Sequence, residues 1–89
     1  MRIDRIAQAN KFKKQWAALP AEVKHRARKC IEQFRNNPFH PSLRLHQLSG
    51  KLDGFWSISI NRKYRIIFEV LSETALFQSI GTHAIYEKR

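Results

Sequence analysis

The chain has 89 residues, 43% of them hydrophobic, with two Trp, two Tyr and six Phe. That is enough for one compact core over residues 1–89, and it excludes both a disordered chain and a second domain. Seventeen Lys and Arg against seven Asp and Glu give a formal charge of +10, a field that draws nucleic acid, an acidic protein or an anionic surface. Cys30 stands alone, which rules out an internal disulfide and a thiolate metal cluster and fits a reducing cytoplasm.

In chain order, residues 2–7 hold Ile3 and Ile6 among polar neighbours and are compatible with an opening strand. Asn10 can cap a helix running to about Ala18, with Phe12, Trp16 and Leu19 on one face. Pro20 and Glu22 then start a second helix, whose stripe is Val23, Ala27, Cys30, Ile31 and Phe34; Cys30 reads as a buried small hydrophobe. Asn36, Asn37 and Pro38 end it. Two helices so closely joined predict an antiparallel hairpin.

A Pro-bounded loop, 37–42, leads into a short strand or extended segment at 43–46. Gly50 to Gly54 forms a turn, after which Trp56, Ile58 and Ile60 alternate with Phe55, Ser57 and Ser59. Asn61, Arg62 and Lys63 make a tight hairpin into a strand from Tyr64 to Val70, where Arg65 and Glu69 share a face with Ile67. In the last strand Leu76, Gln78 and Ile80 alternate with Phe77 and Ser79, and Thr82, His83 and Tyr86 follow at its tip. The expected architecture is α+β: an N-terminal helical hairpin packed on one face of a small antiparallel sheet of three to four strands. The other face is free for function. Of the aromatics, Phe55 and Phe77 are the two that can reach it, unless they belong to the core. No apolar stretch approaches the ~20 residues of a membrane span, and no secretory signal is expected ahead of the domain.

Leu45-His46-Gln47-Leu48-Ser49-Gly50, Gly54-Phe55-Trp56-Ser57-Ile58-Ser59-Ile60, Tyr64-Arg65-Ile66-Ile67-Phe68 and Gly81-Thr82-His83-Ala84-Ile85-Tyr86 stand in that order. They resemble the successive blocks of RelE/ParE superfamily toxins from type II toxin-antitoxin systems. The second and third blocks are similar to the YoeB type and the others to the YafQ type, both ribosome-dependent mRNA endonucleases. The likeness implies a metal-independent endoribonuclease without a cofactor, which inhibits translation by making the RNA 2′-OH its own nucleophile. On the matching positions, His83 is the general acid, Arg65 stabilises the phosphate, His46 is the general base or positions the 2′-OH, and Tyr86 orients RNA by stacking or hydrogen bonding. The chemistry suits these residue types, since imidazole titrates near working pH and guanidinium grips phosphate through a fork of donors. The resemblance also implies three partners: an acidic antitoxin, the ribosome and mRNA. Lys24, Arg28, Lys51, Arg62 and Lys63 are the expected RNA-binding cations.

Structural readings stand beside these. Arg65 can pair with Glu69, Tyr86 can be a core aromatic, and His40 and His25 read as solvated. The four histidines have no pair at helical ligand spacing and no acidic cluster beside them, so no metal site is expected. The chain also departs from the family pattern. Ser57 and Ser59 stand where RelE-type nucleases carry lysines, and Ser79 where YafQ-type relatives carry Arg. The alternatives are therefore a ParE-like inhibitor of DNA gyrase, a catalytically inactive relative, or a basic RNA-binding module.

Overall fold

The computed structural model describes residues 1–82 and Ile85. A first strand, β1 (Arg5–Gln8), leads into helices α1 (Asn10–Ala17) and α2 (Ala21–Asn36). After a 3-10 turn at Pro41–Leu43 come β2 (His46–Gln47), a second 3-10 turn at Gly50–Leu52, β3 (Trp56–Ser59), β4 (Arg65–Leu71) and β5 (Thr74–Gly81). The five strands form one sheet in the order β1-β5-β4-β3-β2. The class is the α+β expected, with one difference: β1 completes the sheet and runs parallel to β5, pairing Arg5 with Thr74 and Gln8 with Phe77. The sheet is thus mixed rather than antiparallel. The two helices between β1 and the meander carry the chain back across the sheet, as a parallel pairing requires.

Both helical stripes meet the sheet as their spacing predicts. Phe12, Val23, Ala27 and Phe34 are buried, with Trp16, Leu19, Cys30 and Ile31 packed at the margin. They cover Ile58, Ile66, Phe68, Ala75, Phe77 and Ile80. At the centre Phe34 meets Phe68 edge-on at 5.1 Å between ring centroids, and Phe12 meets Phe77 at 5.4 Å, separations at which aromatic pairs add stability beyond the area they bury. Asn10 lies inside α1 rather than capping it; Ala9 precedes the helix without a side-chain cap.

The last strand departs from simple alternation. Ile67 pairs with Ser79 but Phe68 with Phe77, so Gln78 is an extra residue in β5. A bulge of this kind reverses which residues face the core. Phe77 and Ile80 therefore both point at the helices, and Phe77 is core, not a residue of the open face. Gln78 donates to Glu69 at 3.2 Å, and the Gln15 side chain accepts from the Ile80 amide at 2.9 Å, tying α1 to the strand just beyond the bulge. Among the described residues, no helix is long and apolar enough to cross a membrane.

Candidate functional site

The face of the sheet turned away from the helices can be read from the register. His46 stands opposite Ser57, Ser57 opposite Ile67, and Ile67 opposite Ser79; one step along, Ser59 stands opposite Arg65 and Arg65 opposite Gly81. Directly opposed residues share a face, so His46, Ser57, Ser59, Arg65 and Ser79 lie on the same side. That face carries a small apolar cluster of Leu52, Ile67 and Ile85, with Leu48 and Phe55 against it. The three serines are buried, Ser57 at 4% and Ser79 at 2% exposure. Phe55 is on this face, as expected, but within the cluster.

His46 is exposed on the two-residue edge strand. Two strand spacings and two residues of rise separate it from Arg65, ~12 Å between Cα atoms from standard ladder geometry. That is too far for a direct contact and leaves room for a phosphodiester between them.

Arg65 is held by main-chain carbonyls. Its Nη1 donates to the carbonyl of Asn61 and, at 3.1 Å, to that of Tyr64. The pairing with Glu69 that the sequence allows is not made; Glu69 takes Gln78 instead. Asn61 shapes this hairpin. Its side-chain oxygen accepts from the amides of Lys63 at 2.9 Å and Tyr64 at 2.8 Å, the local turn chemistry for which Asn is favoured.

Beside the hairpin lies an open basin of about 680 Å³, lined by Arg26 from α2, Pro41, Ser42 and Arg44 from the loop, and Ser59, Ile60, Asn61, Arg62 and Arg65. Among the described residues four arginines face it and no carboxylate does. Arg26 is fixed by donating Nε to the Ile60 carbonyl at 3.2 Å, an acceptor shared with the Cys30 thiol at 3.7 Å. Half-burial pushes the Cys30 thiol up, against the opposing pull of Arg26. The ion pairs among the described residues lie at the other end of β4, where Arg2 meets Asp4 at 3.3 Å and Glu73 at 3.6 Å. There the hydrogen bond from Glu73 and the Arg2 guanidinium hold the Asp4 carboxyl below its ordinary value, while Glu73 is pushed up by the same shared bond.

The structure thus joins Arg65 and Arg62 and adds two arginines, Arg26 and Arg44, that the sequence reading assigned no role. Arg26 leaves a trace in the sequence, since it lies four residues before Cys30 on one flank of α2. Arg44 leaves none, because its place depends on how the loop closes. His46 shares the sheet face with Arg65 but does not line the basin. Lys51 is exposed in the 3-10 turn and Lys63 at the hairpin tip.

Lys24 and Arg28 do not line the basin: Lys24 donates to the Ala17 carbonyl at the end of α1, and the Arg28 guanidinium lies 5.5 Å from the Trp16 ring centroid. His83 and Tyr86 lie outside the described residues. His40 is structural, its Nδ1 accepting from the Ser42 amide at the start of the 3-10 turn, and His25 is exposed. Among the described residues no cluster of His, Cys, Asp or Glu has the makings of a metal site.

Solved structures share this fold. YafQ from E. coli BL21(DE3) superposes with a TM-score of 0.74 at 18% identity, covering 97% of this chain and 98% of its own. The YoeB/ParE toxin from Agrobacterium tumefaciens gives 0.74 at 17% identity, over 89% and 98%. The E. coli DinJ–YafQ toxin–antitoxin complex gives 0.71 at 19%, over 96% and 97%. No curated protein sequence matches. The family model of the ParE-like toxin domain matches residues 21–88, from the start of α2 through the meander to the tail, and the chain is a member of the ParE-like toxin domain family.

Proposed function

We propose that this toxin is a ribosome-dependent mRNA endoribonuclease. The observation that carries the reading is the setting of Arg65: a guanidinium fixed by two carbonyls, on the sheet face turned away from the helices and at the rim of a basin where the described residues supply four arginines and no carboxylate. A fixed cation aimed at developing phosphate charge lowers a barrier without reorganising during the reaction. In the proposed reaction the 2′-oxygen attacks phosphorus and the bond to the 5′-oxygen breaks. His46, exposed on the same face, takes the 2′-OH proton or positions that group. Arg65 neutralises the charge on the phosphoryl oxygens, and His83 returns a proton to the departing 5′-oxygen. Tyr86 orients the RNA. Lys51, Arg62 and Lys63 add the phosphate attraction that makes binding sensitive to salt.

The partner we assign is an acidic antitoxin, in line with the DinJ–YafQ complex among the structural relatives. A second groove of about 480 Å³ suits it. Half-buried Trp16 and Ile31 are flanked there by Lys13, Arg28 and Arg35, with Glu32 the one acidic residue. An amphipathic acidic helix matches that pattern of apolar floor and basic rim.

The test is a reconstituted translation reaction, with and without ribosomes, in which mRNA 5′ ends are mapped by primer extension. Cuts that need ribosomes and vanish in His83→Ala support the reading; intact mRNA in the wild-type reaction overturns it. One observation favours a second reading. Ser57 and Ser59 are small, uncharged and buried on this face, so these two positions supply no lysine to a reacting phosphate, which fits a gyrase-directed binding protein. Supercoiling that stops while translation continues would establish that alternative.

A further inference from the structure

We propose that the four-arginine basin and Phe39 form a single-stranded RNA track that extends beyond Arg65, with Arg26 and Arg44 gripping a neighbouring phosphate and Phe39 stacking on a base. The track deepens the endonuclease reading and rests on it for the choice of RNA, but it makes a separate claim about binding.

Among the described residues nothing neutralises the converging arginines. No Asp or Glu lines the basin, and Arg26, Arg44, Arg62 and Arg65 make no ion pair among the described residues. Like charges gathered at one site repel, and a bound polyanion relieves that repulsion. Two of the four are also fixed in advance. Arg26 spends only Nε on the Ile60 carbonyl and Arg65 only Nη1 on the hairpin, so each keeps guanidinium donors for a phosphate.

Arg44 adds backbone evidence. It ends the 3-10 turn at φ 48° and ψ 51°, a left-handed conformation that costs a non-glycine residue roughly 1–2 kcal/mol and that Gly or Asn tolerates better. An arginine at such a position has a cost to the fold that a ligand contact would offset. Ser42, Ser59 and Asn61 add polar groups to the lining.

Phe39 belongs to the same loop, two residues ahead of Pro41, which lines the basin. It is 57% exposed, the most exposed of the large hydrophobic residues among those described. Exposed aromatics beside a basic groove are the recurring means of holding single strands, because stacking tolerates any base while cations follow the backbone. An amphipathic acidic helix would seat its apolar side chains on residues such as Trp16 and Ile31 in the other groove; in this basin Ile60 is buried and the lining is chiefly arginines with small polar side chains.

The test uses the full chain and a fluorescein-labelled RNA oligonucleotide carrying 2′-O-methyl groups throughout, which cannot undergo 2′-OH attack. Anisotropy is followed over a salt series. Arg44→Asn removes the charge while easing the backbone, so the fold is retained; it should weaken binding several-fold and reduce the salt slope by about 0.7, the value for one phosphate contact on a single strand. Arg26→Gln should do the same. Phe39→Ala should weaken binding ~10-fold with the slope unchanged, as loss of one stacked base would. Lys11→Gln/Lys14→Gln, on exposed positions of α1, is the charge control.

Unchanged affinity and slope in Arg44→Asn, or an equal loss in the control, overturns the track, and unchanged affinity in Phe39→Ala overturns the stacking contact. Wild-type binding with these signatures but no mRNA cleavage during translation upholds the track and overturns the endonuclease instead.

Discussion

Ile85 occupies the space in which a side chain on Gly81 would stand: a Cβ built on Gly81 lies 2.6 Å from Ile85 Cγ2. The Ile85 amide donates to the Thr82 carbonyl at 3.0 Å, and Ile85 joins Leu52 and Ile67 on the face turned away from the helices. Gly81→Ala forces this β-branched side chain away and should cost about 1–3 kcal/mol, the range for overpacking. In an Ile85→Ala background the same substitution should be nearly neutral, because the clashing methyl is gone. Urea unfolding of the four proteins measures the coupling. Additive losses would show that the two residues do not meet.

Arg65 pairs in register with Gly81 on one side and Ser59 on the other. Among the described residues its guanidinium bonds only to carbonyls of its own hairpin, so its removal leaves the core untouched. Arg65→Gln should therefore reduce mRNA cleavage on the order of 10²-fold, the scale for loss of one charge-stabilising donor, with thermal unfolding shifted by only a few degrees. Lysine keeps the charge but not the fork, and Arg65→Lys should recover part of the rate. Cleavage unaffected by Arg65→Gln removes this residue from the mechanism.

The parts of this fold that are local in sequence were legible, and the parts made by distant segments were not. Helical stripes and the alternation of Trp56, Ile58 and Ile60 announce their faces because periodicity follows from backbone geometry alone. The parallel pairing of β1 joins residues separated by nearly the whole chain, and only Ile6 among its four residues is even half-buried. Nothing in such a strand names its neighbour. The bulge at Gln78 likewise depends on β4, and without it Phe77 reads as a residue of the wrong face. At the candidate site, Arg65 was legible through the likeness of Tyr64-Arg65-Ile66-Ile67-Phe68 to a family block, and Arg62 through its charge in the hairpin. Arg44 joins them only because the loop after α2 turns back onto the β3–β4 hairpin.

Cys30 offers a probe of the helix–hairpin junction. Its thiol is half-buried and hydrogen-bonded to the Ile60 carbonyl, and burial pushes its pKa above the ordinary 9.0. Folding then favours the protonated form. The associated stability is complete below about pH 9 and is lost as pH rises through the folded pKa. Alkylation by iodoacetamide at pH 8 should be slower in the folded protein than in urea, since the thiolate is the nucleophile. Equal rates would mean that the Arg26–Cys30 flank of α2 does not close over the hairpin.

Asn61 separates turn stability from basin charge. Its side-chain oxygen accepts the Lys63 and Tyr64 amides, while its own carbonyl holds Arg65. Asn61→Ala deletes both accepted bonds and should lower stability by about 1–2 kcal/mol. Asn61→Asp keeps an acceptor for both amides but brings a carboxylate into a basin that has none among the described residues. It should unfold at nearly the wild-type urea concentration and yet bind the 2′-O-methyl RNA more weakly than Asn61→Ala does. The inversion matters because stability and binding then rank the two variants in opposite orders, which a turn serving only the fold does not produce. If Asn61→Asp bound RNA as well as the wild type, the phosphates would have to run elsewhere on the surface.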